Sequence, residues 1–92
     1  MPTCVRKSVT IRNKLGLHAR AATKLAKLTQ QFAAKVYIVQ EQQQVDASSV
    51  MCLLLLASGQ GRQIDILAEG DDAEAAVAAV AELIESRFDE EQ

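Results

Sequence analysis

The segment Asn13–Ala22 combines a nucleophilic nitrogen with groups that can hold an anion, and it contains the only histidine of the chain. His18 opens a run rich in Ala, Leu and Lys with a helical period, which puts the imidazole at or beside a helix N-terminus. The N–H groups of a first helical turn lack partners and the helix dipole is positive there, so an anion is stabilised. Arg20 can add a charge-assisted contact to phosphate or carboxylate, and Gly16 leaves room for close backbone approach. A phosphoryl acceptor needs this combination.

The same spacing is compatible with a surface histidine that has no chemistry, so the rest of the chain has to decide. There is no GxxxxGK[ST] loop, and Gly59-Gln60-Gly61 lacks the third glycine of a dinucleotide-binding loop. Nothing marks a serine as activated, and no cluster has the spacing of metal ligands, so we expect neither a cofactor nor a metal. If His18 carries a phosphoryl group, other proteins must load and unload it. This favours a stoichiometric carrier over an autonomous hydrolase or kinase.

Length and composition predict one soluble globular domain over residues 1–92, with 49% hydrophobic and 24% charged residues. The longest apolar run, Val50–Ala57, is too short to span a membrane. No basic-then-apolar signal peptide starts the chain, so we expect a cytoplasmic protein. Cys4 and Cys52 lie far apart without a CxxC motif, which indicates a reduced pair.

Charge is distributed unevenly along the chain. Residues 1–40 carry a formal charge of +8 and residues 41–92 a charge of −10. This asymmetry predicts a cationic docking face for an acidic partner, unless the fold interleaves the two halves. Nucleic acid is a weaker candidate, because aromatic residues make up 3% of the chain and no RNP-like or helix-turn-helix pattern occurs.

The first half of the chain predicts a strand, a helix and a hairpin. Val5, Val9 and Ile11 alternate with polar residues, Lys7 excepted, and indicate a half-buried strand. A helix follows over His18 to Gln31. Its core face is expected to comprise Ala21, Ala22, Leu25, Leu28 and Phe32. Its opposite face carries a basic stripe, Arg20, Lys24 and Lys27, a pattern that a merely solvated face also shows. Lys35–Gln40 is a second strand, Glu41–Gln44 a polar turn, and Val45–Asp46 a short third strand.

The second half predicts two further helices around a fourth strand. Ser48 or Ser49 caps the apolar run from Val50 to Ala57, for which we favour a helix over a buried strand. After a turn at residues 58–61, Arg62–Glu69 is a strand that Gly70 ends. Asp71 and Glu74 resemble a capping box. The long helix that follows has an expected buried face of Ala73, Ala76, Val77, Val80, Ala81, Ile84 and Phe88, and Asp89–Gln92 is expected to be a frayed acidic tail. The order β-α-β-β-α-β-α predicts an α+β, two-layer open-faced sandwich with helices on one face of a four-stranded sheet.

The stretch Gly16-Leu17-His18-Ala19-Arg20-x-Ala22, placed after one strand and opening a helix, resembles the active-site signature of the HPr family, the histidine phosphocarriers of the bacterial phosphotransferase system. The resemblance continues through residues 49–51, 59–62 and 70–71 and covers nearly the whole chain. Residues 13–16, 49–50, 61–64 and 88–90 look most like the nitrogen-branch members. The family fold implies an antiparallel sheet of strand order 1-4-2-3. One departure is Ala21, where the family usually has a proline that presets the first helical turn.

The resemblance also implies roles and partners. His18 would be the phosphoryl acceptor, loaded by phosphoenolpyruvate-dependent enzyme I and unloaded by an enzyme IIA, which we expect to be of the nitrogen type. Arg20 would stabilise the phosphate, with the backbone N–H groups of Ala19 and Arg20 facing it. Ser49 aligns with a regulatory serine, for which a serine kinase would be a further partner. We expect a monomer that contacts neither nucleic acid nor membrane.

We expect the docking surface to combine the short helix with the basic stripe. If Ser49 starts that helix, Leu53 and Leu56 face the sheet. The partner-binding residues are then expected to be Val50, Met51 and Leu54, with Lys24 and Lys27 adding electrostatic steering. Three alternatives stay open at this point: a sugar-branch HPr, a non-catalytic protein-binding regulatory module that never uses His18, and an RNA-binding α+β domain.

Overall fold

A computed structural model describes residues 3–56 and 58–89 and confirms the predicted order of elements. The strands are β1 (Cys4–Thr10), β2 (Lys35–Gln40), β3 (Gln43–Asp46) and β4 (Gln63–Glu69), and the helices are α1 (Ala19–Thr29), α2 (Val50–Leu56) and α3 (Ala73–Glu85). A single turn, Arg87–Asp89, follows α3. The predictions for Ala57 and for the tail beyond Asp89 lie outside the described residues.

The sheet has the order β1-β4-β2-β3 and every neighbouring pair is antiparallel, as predicted. β1 pairs with β4 along its whole length, and β4 pairs with β2 on its other edge. The β2–β3 hairpin closes at the pair Gln40 and Gln43, so the third strand is two residues longer than predicted. Glu41 takes φ +56 in the two-residue turn, a conformation that such tight hairpin turns require. The sequence predicted a polar turn over Glu41–Gln44 but did not indicate its type, because it has no glycine.

The helices cover one face of the sheet and enclose a single apolar cluster. Its largest side chains with less than 2% exposure are Phe88, Ile11, Leu25, Ile38, Leu53, Ile64, Ile66, Ile84 and Val80. The buried face predicted for the last helix is confirmed, although Phe88 lies beyond the end of α3. Leu28 on α1 and Phe32, which lies beyond the end of α1, are only partly buried at the margin of the cluster. No helix among the described residues is long and apolar enough to cross a membrane.

The start of α3 differs from the predicted capping box. The residue that caps it is Asp72 and not Asp71, and its side chain makes no capping hydrogen bond. Its carboxylate instead accepts hydrogen bonds from the N–H groups of Ala33 (2.9 Å) and Ala34 (2.7 Å). Asp72 therefore joins the loop before β2 to the start of α3. The residues in contact are 38 or 39 positions apart in the sequence, so no local pattern encodes these hydrogen bonds.

Candidate functional site

The loop between β1 and α1 is held by contacts with the segment that follows α2. The side-chain amide of the buried Asn13 donates to the carbonyl of Gly16 (2.7 Å), and the N–H of Leu17 donates to the carbonyl of Ser58 (2.9 Å). Gly16 has φ +65, and a Cβ atom there would collide with the carbonyl of Ser58 and lie 2.7 Å from Cα of Gly59. Only glycine fits this position without strain. These contacts fix where the chain enters α1.

His18 is the N-cap of α1 and directs a ring nitrogen at the helix end. Its backbone is extended, with φ −84 and ψ −179, and its carbonyl accepts the hydrogen bond from the N–H of Ala22 (2.8 Å). Its Nδ1 accepts a hydrogen bond from the N–H of Arg20 (3.2 Å). Because Nδ1 is an acceptor here, its lone pair points toward the positive end of the helix. The half-buried imidazole thus presents a nucleophilic nitrogen where an anion is stabilised.

Ala19 and Arg20 form the exposed first turn of α1. Within the described part of the chain, the guanidinium of Arg20 forms neither a hydrogen bond nor an ion pair. It is therefore available to an anion placed at Nδ1. The next residue, Ala21, is fully buried, so the position at which the resemblance leads one to expect proline contributes a methyl group to the core.

The basic stripe of α1 is not uniform. Lys24 is half-buried, and its Nζ donates to the carbonyl of Phe88 (2.7 Å), which joins α1 to the turn after α3. Lys27 is exposed in the last turn of α1. Lys24 therefore has a structural contact, whereas the Lys27 side chain is exposed to solvent.

The two serines before α2 have different partners. The hydroxyl of Ser49 accepts a hydrogen bond from the N–H of Cys52 (3.2 Å), as an N-cap does. Ser48 donates from its N–H (2.8 Å) and its hydroxyl (2.7 Å) to Oδ1 of Asp46. These hydrogen bonds, the side-chain one first, lower the pKa of Asp46. Of the two cap candidates, Ser49 is the one that caps α2.

The outward side of α2 is apolar. Leu53 and Leu56 are buried, as the helical phase predicts. Met51 is 71% exposed, Leu54 38% and Leu55 76%; these three residues are called the α2 apolar surface below. Val50, which was expected to point outward, is half-buried and packs against the core.

Sequence analysis missed two exposed apolar residues. Leu55 has the helical spacing of i+4 from Met51, so the phase argument that selected Met51 and Leu54 also applied to it. Leu15, 68% exposed in the loop before His18, has no periodic pattern to reveal it. Leu15 therefore adds an exposed apolar side chain three residues before the candidate nucleophile.

Among the described residues, no group of three or more His, Cys, Asp or Glu side chains could hold a metal ion. Cys4 and Cys52 are both free thiols.

Comparison with known proteins agrees with this geometry. A family model for the PTS HPr component phosphorylation site matches residues 5–86. The phosphocarrier protein NPr of Shewanella violacea is 50% identical over 88 residues, which is 96% of this chain and 97% of that protein. NPr of Escherichia coli K12 is 47% identical over 88 residues, 95% of this chain and 98% of that protein.

Solved structures match equally widely. The crystal structure of HPr-C-His from Thermoanaerobacter tengcongensis aligns with a TM-score of 0.91 and 36% identity, covering 96% of this chain and 99% of that one. HPr from Bacillus anthracis aligns with a TM-score of 0.85 and 36% identity, covering 89% of this chain and 98% of that one.

Proposed function

Since the chain belongs to the HPr family of phosphocarriers of the phosphotransferase system, we propose that His18 accepts a phosphoryl group from phospho-enzyme I and passes it to an enzyme IIA. The observation that carries the proposal is the hydrogen bond from the N–H of Arg20 to Nδ1 of His18. It aligns a ring lone pair with the anion-stabilising end of α1. The setting we propose is the bacterial cytoplasm, with the chain acting as one domain.

In the forward step, the N–H of Arg20 moves from Nδ1 to a phosphoryl oxygen, and the Nδ1 lone pair that it releases attacks the phosphorus atom of the donor's phosphoryl group. A P–N bond forms on His18 while the bond from phosphorus to the donor breaks, and its electron pair stays on the donor. The N–H groups of Ala19 and Arg20 and the Arg20 guanidinium stabilise the phosphoryl oxygens through charge-assisted hydrogen bonds. The same groups hold the phosphoryl group until an acceptor attacks it from the other side.

The nitrogen branch of the phosphotransferase system is our preferred assignment. The NPr proteins named above share 50% and 47% of their residues with this chain, whereas HPr of Xylella fastidiosa Temecula1 shares 40% over 83 residues. This difference in identity supports a nitrogen-type enzyme IIA as acceptor. The alternative is the sugar branch, which uses the same chemistry with other partners.

Partners are proposed to dock on the α2 apolar surface, with Val50 at its margin and Lys24 and Lys27 of α1 adding electrostatic steering. Exposed Met and Leu side chains adapt to more than one partner, as a carrier with a donor and an acceptor requires. Lys27 is the better source of electrostatic steering, because Lys24 is joined to Phe88.

Ser49 is proposed as an inhibitory modification site for a serine kinase. Its hydroxyl lies at the N-terminus of α2, where a phosphate is compatible with the helix dipole. The added charge would lie beside Val50 and Met51 and would have to be desolvated against an acidic partner. The simpler role, which its hydrogen bond to Cys52 already supports, is that of an N-cap alone.

The test is incubation of the full chain with phosphoenolpyruvate and either nitrogen-type or sugar-type enzyme I, followed by intact mass. We expect the mass of one phosphoryl group with the nitrogen-type enzyme, in a product that is labile in acid and stable in alkali. Addition of each type of enzyme IIA then identifies the acceptor. Phosphate uptake by His18→Ala would contradict the acceptor assignment, and absence of uptake from both enzymes would favour a non-catalytic binding module.

A further inference from the structure

Three cationic side chains that the proposed transfer does not use line one open depression of about 410 Å³. They are Arg12 and Lys14 in the β1–α1 loop and Arg87 in the turn after α3, and Gln60 completes the lining. All four residues are exposed, and no carboxylate of the described chain lines the depression. Cations gathered without a counter-charge favour an anion between them.

Two arginines outside the cluster form ion pairs within the described chain. Arg6 forms an ion pair with Asp65 (2.7 Å), and Arg62 forms one with Glu41 (2.6 Å). By contrast, Arg12, Lys14 and Arg87 form no ion pair and no side-chain hydrogen bond within the described residues. The three cations of the cluster therefore have no ion-pair partner within the part of the chain that the structure describes.

The backbone that carries Arg87 is strained and held in place. Arg87, Phe88 and Asp89 all have positive φ, at 62°, 54° and 63°, which is the region that residues other than glycine avoid. The fully buried Phe88 side chain and the hydrogen bond from Lys24 to the Phe88 carbonyl keep this turn in place. Strain at a non-glycine residue persists where the surrounding structure fixes it, and such positions concentrate at functional sites.

The other side of the depression is braced as well. The side-chain amide of Gln60 donates to the carbonyl of Arg12 (3.2 Å). Next to it, Gly61 donates to the carbonyl of Ile11 (2.8 Å). The backbone segments that carry Arg12 and Gln60 are thus joined directly, so their relative position is set before any ligand arrives.

We propose that the Arg12–Lys14–Arg87 cluster binds a condensed phosphate, either free pyrophosphate or the diphosphate group of a nucleotide. A single phosphate group carries at most about two negative charges near neutral pH, fewer than the three cations present. Two linked phosphoryl groups carry more charge and can reach side chains from separate segments. Guanidinium groups bind phosphate oxygens in a bidentate way, which favours phosphate over the single charge of a carboxylate. This binding goes beyond the proposed carrier function and does not require phosphoryl transfer by His18.

The test is an NMR titration of the ¹⁵N-labelled full chain with pyrophosphate, guanosine diphosphate, orthophosphate and a glutamate-rich peptide in separate arms. We expect saturable shifts at the amides of Arg12, Lys14, Gln60 and Arg87, with roughly tenfold weaker binding of orthophosphate. Tighter binding of the nucleotide than of pyrophosphate identifies a nucleotide as the source, and equal binding identifies the diphosphate alone. Shifts confined to Ala19 and Arg20, a response to the peptide but not to pyrophosphate, or no saturable shift would overturn the proposal.

Variants distinguish specific binding at the Arg12–Lys14–Arg87 cluster from non-specific electrostatic attraction. Arg12→Gln and Arg87→Gly should each weaken pyrophosphate binding by roughly tenfold, and glycine tolerates the positive φ at position 87. Arg6→Gln removes the same charge from a paired arginine outside the cluster and should leave the affinity unchanged. Equal weakening by all three variants would show non-specific attraction and overturn the proposal. Uptake of phosphate by His18 in each variant is measured separately, so failure of one proposal is distinguishable from failure of the other.

Discussion

Helices α1 and α2 both begin with a side-chain N-cap hydrogen bond, but the atom that accepts it differs. At α1, Nδ1 of His18 accepts from the N–H of Arg20, and at α2, the hydroxyl of Ser49 accepts from the N–H of Cys52; both distances are 3.2 Å. Serine is among the strongest N-cap residues, whereas histidine is not. A cap chosen for stability alone would be an oxygen at both helices. The nitrogen at α1 therefore points to chemistry at that position.

The polar groups around the two helix starts also differ in whether they already have partners. Before α2, Asp46 accepts two hydrogen bonds from Ser48, so the polar groups there bind each other. At α1, the first turn is exposed and the Arg20 side chain has no ion-pair partner within the described chain. The polar groups at the start of α2 thus bind one another, whereas the first turn of α1 and the Arg20 side chain stay available for an anion.

The largest effect is expected for His18→Asn. Asparagine is a preferred N-cap, so we expect the free energy of unfolding to stay equal or rise by about 0.5 kcal/mol, while uptake of phosphate from enzyme I is lost. Urea denaturation measures the first quantity and intact mass the second. His18→Ala is the control that loses both the cap and the nucleophile. Phosphate uptake by the Asn variant, or a loss of stability equal to that of the Ala variant, would contradict the comparison of the two helix starts.

Arg20→Ala should retain the fold and slow phosphoryl transfer by about ten- to hundredfold, because it removes one charge-assisted contact to the phosphoryl group. Alanine favours helix, so the stability of α1 is not expected to fall. Rapid-quench kinetics with phospho-enzyme I measure the effect. Lys27→Ala, on the same helix but remote from the first turn, is the matched control and should change mainly the salt dependence of the rate. Equal rates for wild type and Arg20→Ala would remove Arg20 from the mechanism.

A smaller effect is expected for substitutions of Ser49, which can distinguish its role as an N-cap from a role in docking. Ser49→Ala should lower the free energy of unfolding by about 1 kcal/mol and leave the transfer rate near that of wild type. Ser49→Asp keeps an N-cap acceptor and should fold, yet we expect it to accept phosphate about tenfold more slowly, because its charge lies on the docking surface. Ser48→Asp is the control one residue away. If both Ser49 variants transfer at the same rate, Ser49 is a cap without a regulatory role.

Sequence patterns predicted this fold where the information is local. Alternation, helical phase and the glycine before His18 predicted the order of elements, and the helical phase of α2 placed Leu53 and Leu56 in the core. Long-range contacts could not be predicted in this way. Asp72 binds Ala33 and Ala34, and Lys24 binds the carbonyl of Phe88, across 38 or more positions.

The candidate site was likewise predictable only where it depends on local sequence. The N-cap position of His18 and the cap role of Ser49 are consequences of the first turn of a helix, which short motifs describe well. The half-burial of Val50 and the exposure of Leu15 depend on how α2 and the loop before His18 pack, which no period encodes. The family resemblance supplied the strand order 1-4-2-3, since pairing between distant strands is not written in either strand alone.

The smallest effect concerns the carboxylate that precedes α2, which has no counterpart at α1. Hydrogen bonds from the Ser48 hydroxyl and N–H, with a weaker contribution from the charge of Lys35, hold the pKa of Asp46 below its ordinary value despite the opposing effect of burial. A carboxyl group whose pKa is lower in the folded state stabilises the protein above the unfolded pKa. That stabilisation is lost as the pH falls through the lower folded pKa.

Acidification below about pH 4 should therefore disturb the start of α2. NMR shifts of the Ser48 and Cys52 amides during a pH titration measure this effect. In Asp46→Asn, the side-chain oxygen still accepts from Ser48 without titrating, so the shifts at α2 should become independent of pH, with a change in stability below about 1 kcal/mol. Asp65→Asn is the matched control, because the pKa of Asp65 is also lowered, first by the hydrogen bond from Ser8 and then by Arg6, but on β4. A pH response at α2 that persists in Asp46→Asn and disappears in Asp65→Asn would show that the sheet, and not the turn before α2, controls it.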